Sequence, residues 1–230
     1  MGLGRLKSFA KAGLKSAGFE VINLNHNERY GWDWMRDASR LAPLVQANIE
    51  TIFDVGANTG MTALELERVF AHASIHSFEP TPATYQELCG NVAGHSRIST
   101  YPIALGPSNG VASLQCFDVS LLNSCAPKPP FIEMFPQAGK AIEVPMQTID
   151  AFCTEHRIAR ISILKIDAEG FDLEVLKGAR RMLGEGCVDF VVTEFNGASA
   201  DESGYRTDGL LQKIHTLVEQ FLRVSPDAYT

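Results

Sequence analysis

Three places in the 230-residue sequence bring together residues able to do chemistry. The first is Asp54-Val55-Gly56-Ala57-Asn58-Thr59-Gly60, which closes an apolar run. Glycines there let the backbone turn sharply and let a ligand come close, and a helix starting beyond them offers its unpaired N–H groups. The second is Glu79, 19 positions after Gly60, a distance at which a carboxylate suits the paired hydroxyls of a ribose. The plainer alternative is that the glycines only shape a turn and Glu79 caps the next helix. The third is Lys165, Asp167 and Glu169, at the end of Ile161-Ser162-Ile163-Leu164-Lys165-Ile166-Asp167. Lys165 and Asp167 share a face of that strand, and a lysine in so apolar a run needs a carboxylate partner or an outlet to water. Three readings stand. One of Asp167, Glu169 or Lys165 accepts a proton from a hydroxyl. Alternatively Asp167, with Glu194 or Asn196, holds a divalent cation. Otherwise Lys165 and an acid form a structural pair.

The elements that would position these residues alternate between strand and helix from about residue 50. Strands are expected at Thr51–Gly56, Ser74–Glu79, near Ile98–Leu105, at Ile161–Asp167 and at Val188–Phe195. A helix is expected from about Thr59 to Phe70. Thr81 stands as an N-cap with Pro82 first in the next helix, whose buried face is Tyr85, Leu88, Cys89 and Val92. Ile149, Phe152, Cys153 and His156 make another helical face. Val175, Leu176, Ala179, Met182 and Leu183 read as one side of a single helix, with Asp172 and Glu174 in its first turns, stopped at Gly184. Leu210, Leu211, Ile214, Leu217, Val218 and Phe221 form an amphipathic helix. Such alternation predicts a doubly wound α/β fold with a mainly parallel sheet and helices on both faces, and ligands on such sheets bind beyond the carboxyl ends of the strands. Residues 110–147 interrupt the pattern with a hairpin-like Val111 to Val119, Pro127-Lys128-Pro129-Pro130 and a strand-like Ala141 to Met146. They read as an insertion over the sheet edge or the site. The division expected is a helical, polar-aromatic segment over 1–49 and one α/β domain over 50–230.

At this point a resemblance is carried by ordered motifs: Phe53-Asp54-Val55-Gly56-Ala57-Asn58-Thr59-Gly60, Ser77-Phe78-Glu79-Pro80, Asn91-Val92, Thr148-Ile149-Asp150, and Leu164-Lys165-Ile166-Asp167-Ala168-Glu169-Gly170 followed by Leu176-Lys177-Gly178-Ala179. Over roughly residues 50 to 196 the chain resembles the FkbM-type methyltransferases. The resemblance implies a Rossmann-like methyltransferase fold, S-adenosylmethionine as cofactor, and O-methylation of a sugar, glycan or secondary-metabolite hydroxyl. The loop from Asp54 to Gly60, with Gly56, Ala57 and Asn58, would then hold the cofactor's amino-acid part and Glu79 its ribose. A proton acceptor among Asp167, Lys165 and Glu169 would serve the acceptor hydroxyl. Such a fold closes with an antiparallel pair of strands. Only nine residues follow Phe221, and Leu222-Arg223-Val224 could begin one, so the last strands are expected to be incomplete. That end leaves a non-catalytic cofactor-binding module as the rival reading. A nicotinamide oxidoreductase is disfavoured because Asn58 stands where G-x-G-x-x-G needs its middle glycine, and no phosphate-binding G-x-x-x-x-G-K-[ST] occurs.

Composition bounds the partners. A net charge of −7 gives no bulk attraction to a phosphate backbone, so the expected partner is a small-molecule or glycan acceptor and not nucleic acid. Five cysteines without a C-x-x-C pair read as free thiols of a cytoplasmic protein. No run approaches the length of a membrane span. Arg5, Lys7, Lys11 and Lys15 beside Leu3, Leu6, Phe9 and Leu14 allow a surface-lying N-terminal contact with membrane, against the simpler reading of a frayed or docked helix. Leu6 breaks the myristoylation pattern. His72 and His76 are divided by a helix end and read poorly as a metal pair. Pro129-Pro130-Phe131 has Lys128 in place of an acid or amide and reads as loop. Tyr30, Trp32 and Trp34 suit either stacking on an acceptor sugar or packing of their own segment. Composition leaves oligomeric state open.

Overall fold

The computed structural model describes residues 34–117, 123–126 and 140–193. The N-terminal basic segment, Tyr30, Trp32, the Pro127–Pro130 stretch, Glu194, Asn196, the helix expected over 210–221 and the last strands lie outside the described residues. The chain falls into two units, Met1–Asp37 and Ala38–Thr230. Helix α1 spans Trp34–Leu41.

In the second unit β1 (Thr51–Val55), β2 (Ser74–Phe78) and β3 (Ile98–Tyr101) pair in parallel, and the chain later returns on the other side of β1 with β7 (Ile161–Ile166) and β8 (Val188–Thr193). The order β3-β2-β1-β7-β8 reverses direction between β1 and β7. Every residue of β7 is buried, as a central parallel strand covered on both faces requires. The fold is the doubly wound α/β arrangement of the Rossmann-like methyltransferases, with helices on both sheet faces. Phe53 and Val55 join Phe78, Phe152, Val175, Leu176 and Met182 in one core. This is the side of α4 (Ile149–His156), α5 (Asp172–Lys177) and α6 (Arg180–Gly184). Alternation sends Asp54 to the opposite face. There lie α2 (Met61–Val69) and α3 (Pro82–Asn91), the latter bonded by Tyr85 Oη to Thr100 at 3.1 Å.

Three local expectations are corrected. The third strand is two: after β3, Pro102 lacks the N–H to continue the ladder, and Ala104–Leu105 turns away as β4 into a second sheet. The order of that sheet is β4-β6-β5, with β5 (Gly110–Gln115) antiparallel to β6 (Ala141–Gln147). The two strands of the insertion therefore pair with each other from either side of 116–140, and β6 pairs with β4 from outside it. The helix after β7 is broken into α5 and α6 at Gly178, where an added Cβ would lie 2.1 Å from the Gly106 carbonyl. Asp150 receives the restarted helix, its two oxygens accepting from Arg181 N at 2.8 Å and Met182 N at 3.0 Å. Finally, α2 starts two residues later than expected, because Gly60 takes the left-handed conformation at its N-cap (φ 87°).

Candidate functional site

The carboxyl ends of β1 and β7 meet where the strand order reverses, the position at which a ligand crevice opens in this architecture. Gly56 leaves β1 at φ 72°. A side chain there would put its Cβ 1.9 Å from the Asp167 carbonyl, so the loop after β1 and the turn after β7 touch through bare backbone. Gly56 and Ala57 both donate their N–H to Phe78 O at 3.0 Å. Asn58 sits in the left-handed region at φ 47°, and its Oδ1 accepts from Thr59 N at 2.8 Å. From α3, Asn91 Nδ2 donates to Thr59 O at 2.9 Å. The Asn91 of the sequence motif thus secures the loop.

Glu79 joins the loop after β1 to the start of α3. Its Oε1 accepts from Thr81 N at 2.8 Å, opening the turn into α3, and its Oε2 accepts from Asn58 N at 3.1 Å. It is 6% exposed and lines the cleft. Burial pushes its carboxyl above the ordinary glutamate range. The Thr81 and Asn58 donors pull it back, and nearby Asp54 adds to the rise. Thr81 occupies the N-cap position without a capping side-chain bond; its Oγ1 accepts from Asn123 Nδ2 at 3.2 Å.

Lys165 lies in register with Asp54 on the neighbouring strand. Its Nζ is 2.9 Å from Asp54 Oδ1 and 3.5 Å from Asp167 Oδ2, and it donates to Gly56 O at 3.1 Å. Burial pulls the ammonium down, but Asp54 and Asp167 outweigh it and hold the pKa above the ordinary lysine value, so the group stays charged. One buried cation thus ties the glycine loop to the acid after β7. The nearer partner is Asp54 rather than Asp167, because register places the first two side by side.

A cleft open to solvent lies over these ends. Gly56, Asn58, Glu79, Asp167 and Glu169 line it, and Ile103, Leu105, Leu114 and Phe171 supply an apolar wall. Asp54, Ala57, Gly60 and Lys165, also expected at the site, do not reach its surface. Asp54 is fully buried beneath the loop against Lys165. Ala57 is buried. Gly60 packs α2 on α3, where a Cβ would strike Leu88 at 2.6 Å. Asp167 has a side chain 38% exposed, while its Oδ1 is buried and has no hydrogen-bond donor among the described residues.

Several site residues escaped sequence reasoning. Asn123 and Ser124, from the insertion, touch opposite lips: Asn123 at Thr81, and Ser124 Oγ donating to Glu169 O at 2.7 Å. No local pattern marks them, since their partners lie 42 and 45 positions away. Of the apolar wall, Ile103 and Leu105 were hidden in an undivided third strand, while Leu114 comes from β5 and Phe171 from the turn after β7. His76 belongs elsewhere, in an aromatic cluster with Phe53, Tyr101 and Phe152. Burial there, with His156 nearby, pushes its imidazole down to about 4. Among the described residues no group of three His, Cys, Asp or Glu could hold a metal ion. Of the suggested cation ligands, only Asp167 is described.

Residues 54–223 match the methyltransferase FkbM domain. The chain is 29% identical to methyltransferase sdnD of Sordaria araneosa, over 55% of this chain and 59% of that protein. It is 26% identical to the 31-O-demethyl-FK506 methyltransferase FkbM of Streptomyces tacrolimicus, over 56% and 59%. It is 23% identical to the 2-O-methyltransferase NoeI of Sinorhizobium fredii, over 80% and 79%. The chain spans about three fifths of the length of the first two. With the loop after β1, Glu79 and the turn after β7 converging on one cleft, and most of the chain matched, this protein belongs to the FkbM methyltransferase family.

Proposed function

We propose that the protein transfers a methyl group from S-adenosylmethionine to a hydroxyl oxygen of a sugar, glycan or secondary metabolite. The observation that carries this reading is the pairing, across one cleft, of Glu79 with Asp167. Each Glu79 oxygen accepts one backbone N–H, and a carboxylate has capacity for more. That capacity fits the two hydroxyl donors of a ribose. The Asp167 carboxylate, partly exposed at the cleft, fits a hydroxyl that must lose its proton. Ile103, Leu105 and Phe171 suit the flat face of the adenine. The residues present therefore fit the cofactor.

When bound, S-adenosylmethionine supplies a methyl group already activated by its sulfonium and departs as S-adenosylhomocysteine. The chain's own work is alignment and proton removal. Glu79 and the Gly56–Asn58 backbone fix the cofactor, and the cleft holds the acceptor oxygen in line with the methyl carbon. Asp167 accepts the hydroxyl proton as the oxygen–carbon bond forms. Lys165, behind the wall, orients Asp167 and touches neither substrate. Asn123 and Ser124 contact Thr81 and Glu169 at the cleft, which supports a part for the insertion in selecting the acceptor. No helix among the described residues is long and apolar enough to cross a membrane, and five unpaired cysteines suit the cytoplasm.

Calorimetry with S-adenosylmethionine and S-adenosylhomocysteine, followed by methyl release over a panel of hydroxylated glycans, tests the proposal. Glu79→Ala should weaken cofactor binding by about 1–3 kcal/mol. Asp167→Asn should lower turnover about 10²–10⁴-fold while cofactor affinity stays within a few-fold. Failure of folded protein to bind either cofactor form would end this reading. Binding without methyl release would leave a cofactor-binding module.

A further inference from the structure

Asp172 is 7% exposed and does not line the cleft. As the first residue of α5 it suits the helix dipole, but its side chain reaches back to the preceding turn. Its Oδ2 accepts from Gly170 N at 3.2 Å, and its Oδ1 faces Ala168 N at 3.5 Å and accepts from Thr193 Oγ1 at 3.1 Å. That turn carries Asp167 and Glu169, and its shape is costly. Glu169 stands at φ 49° and Gly170 at φ 90°, and a non-glycine residue in the left-handed region persists only where its surroundings hold it. The hold comes from two sides. Ser124 Oγ binds the Glu169 carbonyl from the insertion, and Asp172 gathers the turn's N–H groups from beneath while Thr193 anchors Asp172 to the end of β8.

We infer that Asp172, anchored by Thr193, is a positioning residue for the reaction: it holds the Asp167–Gly170 turn so that the Asp167 carboxylate meets the acceptor hydroxyl. The inference rests on the methyl-transfer reading for its kinetic consequence and on geometry alone for its structural one. Asp172→Asn keeps the size of the side chain but replaces one acceptor oxygen with a donor. The turn then loses at least one of its bonds, and Asp167 drifts from the in-line arrangement, where a displacement of an ångström is worth about 100-fold.

The test measures three quantities on Asp172→Asn, Thr193→Val and Thr193→Ser. Asp172→Asn should lower kcat about 10–100-fold. Affinity for S-adenosylhomocysteine should stay within about 3-fold, because Glu79 and the Gly56–Asn58 loop receive no bond from Asp172. Hydrogen exchange of the 167–171 amides should quicken about 10-fold, with those of 56–60 unchanged. Thr193→Val should shift the same quantities less, and Thr193→Ser, which keeps the hydroxyl, should restore kcat to within about 2-fold of wild type. Wild-type kcat and exchange in Asp172→Asn would overturn the inference. So would a loss of cofactor affinity as large as the loss of kcat, the mark of general destabilisation. If Asp172→Asn fails to fold, Thr193→Val decides by the same criteria. If the wild type transfers no methyl group to any acceptor, the functional reading fails separately, and unchanged exchange at 167–171 would still refute the positioning role.

Discussion

Gly56→Ala is the sharpest single perturbation of this site, because the structure assigns it two costs that add. Gly56 sits at φ 72°, where an L-residue loses about 1–2 kcal/mol. Its new Cβ would lie 1.9 Å from the Asp167 carbonyl oxygen, inside any real contact distance, and the obstacle is backbone rather than a yielding side chain. The two strand ends must separate by about 1 Å, which breaks or lengthens the 3.1 Å bond from Asp167 N to Val55 O, worth about 0.5–1.5 kcal/mol. Together the loss is about 1.5–3.5 kcal/mol, and at about 2–4 °C per kcal/mol for a unit of this size Tm should fall by roughly 3–14 °C. The displacement also carries Asp167 away from the loop, so cofactor binding and turnover should both weaken. Thermal melts and calorimetric titration of the purified variant read these effects. Gly90→Ala is the control: the position is helical, nothing lies within 4 Å, and the variant should gain a few tenths to about 1 kcal/mol. A Gly56→Ala protein with wild-type Tm and cofactor affinity would refute the claim that the loop after β1 and the turn after β7 meet through backbone.

Two further outcomes follow from the geometry. Asp150→Ala removes both acceptors at the start of α6 and should cost about 1–2 kcal/mol in denaturant unfolding without changing S-adenosylhomocysteine affinity; a shift in that affinity would show that α6 reaches the site. His76 is held neutral in the folded chain down to about 4, whereas the unfolded chain takes up the proton near pH 6.5. Its contribution to stability is therefore full above about pH 6.5 and is lost as pH falls toward 4, by at most about 3 kcal/mol. Unfolding titrations of wild type and His76→Phe should diverge across that window, and parallel profiles would contradict the assignment.

The amino-acid sequence alone determined the parallel α/β sheet and the family. Both follow from local information: largely apolar runs such as Ile161–Ile166, a period of about 3.6 in the helices, and motifs whose order survives without coordinates. It also marked Gly56, Asn58, Glu79, Asp167 and Glu169, since a residue at the carboxyl end of a parallel strand faces the ligand edge whatever the details. Tertiary structure alone decided which acid Lys165 pairs with, because strand register relates Asp54 to Lys165 across segments far apart in the chain. It alone broke the helix at Gly178, where the Gly106 carbonyl leaves no room for a side chain. It also divided the third strand at Pro102, brought Asn123 and Ser124 to the two lips of the cleft, and turned Asp172 from a helix-dipole residue into the support of a strained turn. Apart from the short-range bonds of Asp172 to its own turn, these depend on contacts of high sequence separation. Propensity and periodicity report what a segment does with itself, and a buried polar group is satisfied by whatever the fold brings beside it.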